Sequence, residues 1–554
     1  MISAKIYLAL FLFGFSAWAA EPDWSEGHSI PQTGRSNPYE LSPTDWAAFN
    51  QAGRLHAQIY PVEITGALPP YRPIKNLIEN KNNGVFRKWL SKIIRGISNM
   101  KSFEDVELFL GLNPYPTESD TGVYSVPYPN GQKPEHRMGT GFITRDGGTG
   151  VTFSCASCHS SNLFGKTVLG MTNRFPRTNE FFIKAQSVVS VVPPSLFKAF
   201  SKATKEETEL YRQSRKNIRY IGAVRPLVRG LDTSLAQVAL SLRLRGEDEW
   251  AEKDTKYLYN PRYDELLDQP ADSKPAVWWN VKYKTRWLSD GSVVSGNPIY
   301  TNILWNEIGR GTDLRDLNEW FQKKSQVIEE LATAVFSSQA PLYIDFFPAE
   351  SIDLERAKQG QKIFVQNCAK CHGQYQKNWD VLPESAPLSE RLKTYQVLYH
   401  QRTPVIDVGT DSFRRRGMKS LEKLNDLKIS KDFGVVIKEQ KGYVPPPLVG
   451  IWARWPYFHN NSAPSLCAVL TASSKRPKVY WAVAANNPAE DFDSDCNGYP
   501  MNLPEQRKKS DYKYNTQIPG LGNSGHDEGI FLSQGQELLS LEEKRDLILF
   551  LKTL

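Results

Sequence analysis

A mainly α-helical fold of two like units, with long loops and an N-terminal extension, is what this 554-residue sequence predicts. Three observations carry that prediction. A five-residue signature, Cys155-Ala156-Ser157-Cys158-His159, returns as Cys368-Ala369-Lys370-Cys371-His372. Amphipathic stretches with helix-capping residues lead into and follow the second copy, while no stretch alternates polar and apolar residues as a half-buried strand would. No run after the first fifteen residues approaches the roughly 18 uninterrupted apolar residues of a membrane span.

The signature is chemically specific. Thiols three apart on a helical turn reach the two vinyl edges of one haem, and the imidazole of the next residue falls beneath the iron. A redox dithiol or half a zinc site explains neither the histidine directly after the second cysteine nor the repeat. The sequence therefore predicts two covalently bound haem c groups, one on Cys155 and Cys158, the other on Cys368 and Cys371. His159 and His372 are the proximal metal ligands. The two units are then cytochrome c-like haem domains: residues 116–345 around the first motif and 346–554 around the second, after an extension over 20–115.

Lys5, the apolar run Ile6 to Phe15 and Ala17-Trp18-Ala19 have the order of a secretory signal peptide, residues 1–19. The run is too short to cross a bilayer of roughly 30 Å, so the expected product is exported to the periplasm or secreted, without stable membrane insertion. Its removal takes away only Lys5 from a formal charge of +8. The remaining positive charge is dispersed, which argues against nucleic acid as a partner. Four of the six cysteines belong to the motifs, leaving Cys467 and Cys496 to pair as a disulfide. That closure would contribute about 3.5 kcal/mol in the chain-entropy account.

In chain order, Ser42-Pro43-Thr44-Asp45 opens a short helix through Trp46 and Phe49. Phe86, Trp89, Leu90, Ile93, Ile94 and Ile97 form the apolar stripe of a stronger one, expected to dock on a core. Residues 112–150 read as loop, and Glu206–Ile221, Ser234–Leu244 and Leu314–Ser337 as helices. Asp353 to Phe364 is an amphipathic helix feeding into Cys368, and Ser540-Leu541-Glu542-Glu543 is a capping box opening the last helix. Small cytochrome c folds begin and end with such a pair.

The segment Pro445-Pro446-Pro447-Leu448-Val449-Gly450-Ile451-Trp452-Ala453-Arg454-Trp455-Pro456-Tyr457-Phe458-His459-Asn460-Asn461-Ser462-Ala463-Pro464-Ser465-Leu466 resembles the P-Y-[LF]-H-N-G-S-x-P-[ST]-L stretch of the bacterial dihaem cytochrome c peroxidase and MauG superfamily, with Asn461 in place of glycine. Chain length, Trp278-Trp279 followed by Lys282 and Lys284, and Gly525-His526-Asp527-Glu528-Gly529 look most like its rubber oxygenases. The resemblance implies that the first haem takes dioxygen at an open position. It also implies that His526 is the second axial partner of His372, and that Trp279 or its neighbour Trp278 bridges the haems. His459 is a candidate for orienting a haem carboxylate or water between them.

Histidine supply separates the relatives. None occurs from Ser160 to Cys371, so the first haem has no distal histidine in its own unit; Met171 is the alternative ligand there. Peroxidases place a methionine and MauG a tyrosine shortly after the P-Y-F-H motif, yet Asn460 to Pro477 holds neither. Asp491-Phe492-Asp493-Ser494-Asp495-Cys496-Asn497-Gly498 resembles the start of a calcium loop, but Cys496 takes the glycine position and no glutamate follows at the twelfth, so a solvated loop is expected. The predicted function is a haem-dependent oxidoreductase cleaving an apolar alkene with dioxygen. One rival reduces hydrogen peroxide with electrons from a small redox protein, with Glu206, Glu207 or Glu209 as acid-base group. The other is a two-haem electron carrier closed by Met171.

Overall fold

Helix α1 (Pro43–Ile59) begins where the Ser42 hydroxyl accepts the Asp45 backbone N–H and Pro43 takes the first helical position, a cap worth about 1 kcal/mol. It runs well past Phe49. The computed structural model describes residues 21–79, 100–232 and 234–554; the stretch expected as a signal peptide and the stripe from Phe86 to Ile97 lie outside them.

Part of the stretch expected as loop is a hairpin. Strands β1 (Thr140–Arg145) and β2 (Gly148–Phe153) pair antiparallel, turning at Asp146-Gly147 with φ of 51° and 81°. Asp-Gly is a strong hairpin signal, but these strands are rich in Gly and Thr and carry no apolar alternation to announce them. The hairpin delivers the chain to a single 3-10 turn, Cys155–Ser157. A second pair, β3 (Ser160–Leu163) and β4 (Lys166–Leu169), leads away from His159.

Helices α2 (Thr178–Val189), α3 (Lys205–Ile218), α4 (Leu235–Leu242) and α5 (Pro298–Ile308) follow. The single helix expected over Leu314–Ser337 is two, α6 (Leu314–Lys323) and α7 (Ser325–Phe336), because Lys324 leaves helical geometry at φ −125°, ψ 33°. The break lets Leu317, Phe321, Leu331 and Phe336 all reach one core. Helix α1 crosses α7 at Gly53, where a Cβ would lie 1.9 Å from the Glu330 carbonyl oxygen.

Around the second motif the helices are those expected. Helix α8 (Leu354–Asn367) is capped by Asp353 and runs into Cys368; α9 (Leu541–Lys552) starts from a capping box between Ser540 and Glu543. They cross at Gly360, whose Cβ would stand 2.0 Å from the Asp546 carbonyl oxygen, with the Phe364 and Phe550 ring centres 5.2 Å apart. Cys467 and Cys496 are disulfide-bonded.

The two large apolar cores are interleaved along the chain, so boundaries at 115/116 and 345/346 do not separate them. Trp24, Tyr39, Tyr60 and Leu68 of the supposed extension share one core with α4 to α7. Met418, Leu421 and Ile437 join that core too, tied there by Val293–Ser295 pairing with Val436–Ile437. Leu163, Met171, Val277 and Trp279 pack instead with α8, α9 and the Trp452–Tyr457 region. A strap at the N-terminus bonds to both parts: Ile30 N–H to the Gln401 carbonyl, Tyr399 N–H to that of Gln32, and Arg35 N–H to that of Lys282. Among the described residues no helix is long and apolar enough to cross a membrane.

Candidate haem site

Both C-x-x-C-H motifs open into one cavity of about 1090 Å³, larger than the roughly 300–1,000 Å³ of a pocket for a single small ligand. Cys155, Cys158, Cys368 and Cys371 line it with free thiols. Burial pushes the Cys155 and Cys158 thiols up to about 11 and that of Cys368 to about 12.

Each motif histidine is oriented in the same way. His159 Nδ1 donates to the Ala276 carbonyl at 2.9 Å and His372 Nδ1 to that of Pro446 at 2.8 Å. A carbonyl accepts only, so Nδ1 carries the proton and Nε2 keeps its lone pair for a metal. Burial holds both imidazoles down at about 4, hence neutral.

The two carbonyl segments are themselves joined. Three residues beyond Ala276, Trp279 Nε1 donates to the carbonyl of Val449, three beyond Pro446, at 2.9 Å; Asn280 Nδ2 donates to Pro447 at 2.8 Å. Gly450 adjoins that ring, with its Cβ position 3.3 Å from Trp279 Nε1. Trp278 stays with the first motif, its ring 5.7 Å from His159. Trp279 is fully buried and lies behind the cavity wall, outside the set of residues that face the cavity.

His526 faces His372, with ring centres 6.5 Å apart and planes within 14°. Two imidazoles on opposite sides of one metal place their centres roughly 6.4 Å apart, from metal–nitrogen bonds of about 2 Å and a further 1.2 Å to each ring centre. The loop holding His526 is shaped for this. Gly525 has φ of 102° and its Cβ position meets Thr410 at 2.8 Å, so only glycine fits; His526 N–H bonds to the Val408 carbonyl, and Phe458 and Phe531 flank the ring. No protein group hydrogen-bonds the His526 imidazole among the described residues.

The cavity wall includes Leu235 and Gln237 of α4 and Asn302 and Trp305 of α5, and Leu235 and Trp305 belong to the core against which Cys155 packs. Among the described residues no methionine lines the cavity; Met171, the alternative ligand, is buried beside Arg174 and Trp455 in a separate small hollow. The three glutamates are also elsewhere: Glu207 caps α3 and pairs with Arg72, and neither Glu206 nor Glu209 faces the cavity. Asp232, Asp407, Asp527 and Glu528 do line it, and of these Asp232 is the buried one. It is buried next to Cys158, accepts the Asn179 N–H at 2.9 Å, and is pushed up to about 7, chiefly by burial. One aspartate after Leu231 in a loop carries no sequence signal.

His459 lines the cavity with its ring stacked on Tyr443 at 4.1 Å and its Nε2 buried without a protein partner. Burial, with Arg414 and Lys274 nearby, holds it to about 3, so it offers hydrogen bonding and no charge. In the acidic loop, Asp491 accepts the Asn486 and Asn487 N–H groups and pairs with Arg507, while Asp493 accepts from Asp495 and Cys496. Among the described residues no three His, Cys, Asp or Glu side chains are grouped to hold a metal ion.

Four thiols on one cavity and two imidazoles with free Nε2 atoms suit haem c, and so define a site of the c-type cytochrome class. Residues 442–482 match a family described as RoxA-like, cytochrome c-like. That segment holds the Pro446 carbonyl, Val449, Arg454 and His459. An uncharacterized protein of Sinorhizobium fredii, y4iJ, is 28% identical over 255 residues, covering 37% of this chain and 39% of the relative. A second from the same organism, y4iM, is 23% identical over 222 residues, covering 36% and 49%. The match thus spans less than half the length of either relative. The family match supports a haem-binding, cytochrome c-like chain of the RoxA kind.

Proposed function

We propose that this chain is an exported dihaem c-type oxidoreductase that uses dioxygen at its first haem to cleave an apolar alkene, in the manner of rubber oxygenases. The carrying observation is asymmetry: the His526 ring faces that of His372, whereas among the described residues no methionine lines the cavity and no imidazole ring is paired with that of His159, His459 being stacked on Tyr443. The first haem supplies an exchangeable iron position, and the second an electron store. The protein's own contribution is positional. The Ala276 carbonyl fixes the His159 tautomer, Leu235 and Trp305 offer apolar wall that excludes water, and Trp279 ties the segment behind one proximal histidine to that behind the other.

Incubation with polyisoprene under air tests this reading. Oxygen uptake with carbonyl-terminated fragments is expected, together with carbon monoxide binding to one haem of the reduced protein. A reduced protein that takes up no carbon monoxide overturns it. Asp232 favours one second reading, hydrogen peroxide reduction, because a buried carboxyl poised near neutrality can pass a proton to a departing oxygen. Asp232→Asn should then abolish peroxide turnover while oxygen-dependent cleavage persists.

A further inference from the structure

Between the two motifs the cavity holds more buried cations than the protein neutralises. Lys284 is 9% exposed and faces the cavity, and its ammonium has no protein partner among the described residues. Asp290, the buried carboxylate whose charge acts on it, is already paired with Arg414, whose Nε lies 3.0 Å from Asp290 Oδ2. Arg454 also faces the cavity; it donates to the Pro447 carbonyl at 2.9 Å and pairs with no carboxylate among the described residues. Among the described residues the Lys274 ammonium reaches only the carbonyls of Arg454 and Pro456. His459 between them is neutral. Burial and Arg454 together hold the Lys284 ammonium down at about 8, the mark of a charge awaiting a counter-ion.

We propose that Lys284 and Arg454, with Lys274 behind them, form an anion seat whose occupant is the carboxylate edge of the haem groups. This rests on the dihaem reading above. The placement brackets both motifs: Lys274 precedes by two residues the carbonyl that holds His159, and Arg454 grips the residue after the carbonyl that holds His372. Haem c brings two carboxylates per group, so two haems bring the anionic charge that three unpaired cations require. Lys284 and Arg454 reach the seat from opposite sides of the second motif in sequence, so filling it draws both parts of the chain onto the cofactor.

The test is Lys284→Met in the haem-loaded chain, read by haem count and by redox titration. Two haems per chain should remain, with the midpoint of at least one shifted to lower potential, because losing a nearby cation disfavours electron uptake. Lys284→Arg should restore it, and the exposed Lys419→Met should leave both midpoints in place. In Asp232→Asn, where that cavity acid no longer titrates, the midpoints should stay flat between about pH 5 and 7, since a carboxylate beside a cation keeps its charge below the ordinary carboxylate range. Unchanged midpoints in Lys284→Met overturn the proposal, as does a midpoint in Asp232→Asn that falls through that window. If Lys284→Met fails to fold, the Asp232→Asn pH profile decides. An intact chain carrying fewer than two haems instead overturns the dihaem reading.

Discussion

On the proposed dihaem reading, His526 is the residue on which the second haem's electronic state turns. With His372 it makes a pair of parallel imidazoles at the spacing of a shared metal, and two imidazoles give low-spin iron. His526→Ala should convert one of the two haems to high spin; an unaltered low-spin EPR signal would assign the ligand to another residue. Asp232 carries a pH signature. Its folded value of about 7 lies above the ordinary 3.8, so its ionised form is disfavoured by folding. Stability should be full below about pH 4, fall as pH rises toward 7 and level off above, by up to about 4 kcal/mol. Asp232→Asn should flatten that slope in thermal unfolding followed against pH. The C-x-x-C-H residues were readable because covalent attachment imposes a fixed spacing. Asp232 and the carbonyls of Ala276 and Pro446 were not, since a lone acid and a backbone oxygen leave no pattern.

Helix pairing is set by single glycines. At Gly360 a methyl group would collide with the Asp546 carbonyl, a backbone atom that cannot rotate away. Gly360→Ala should destabilise the protein by about 1–3 kcal/mol, seen as a lower unfolding midpoint, while the α8 surface variant Glu355→Ala should not. The segments behind the proximal histidines act as one element through the bond from Trp279 to Val449. Trp279→Phe removes that donor and keeps the ring, so turnover should slow with haem content unchanged; equal turnover would reduce Trp279 to packing. The α8 and α9 helices were legible from capping residues and apolar spacing. The break at Lys324 and the hairpin at Asp146-Gly147 were not: one depends on tertiary packing, the other on strands whose glycines and threonines mute the alternating signal.

Across the whole molecule, sequence reasoning separated two units by motif, yet the cores interleave because strand pairs and the N-terminal strap join residues hundreds of positions apart. Such long-range contacts leave no trace in local composition. The buried thiols give this architecture a timetable. Only the thiolate adds to another molecule readily, and Cys155, Cys158 and Cys368 are held mostly as thiols at neutral pH by a wall that closes around them. A chain that completes its fold empty therefore holds less thiolate for attachment than an unfolded one. Attachment is then expected to go faster before closure than after it: denatured, reduced chain should accept more haem from an attachment system than the same chain refolded beforehand, as haem-stained gels of the two would show.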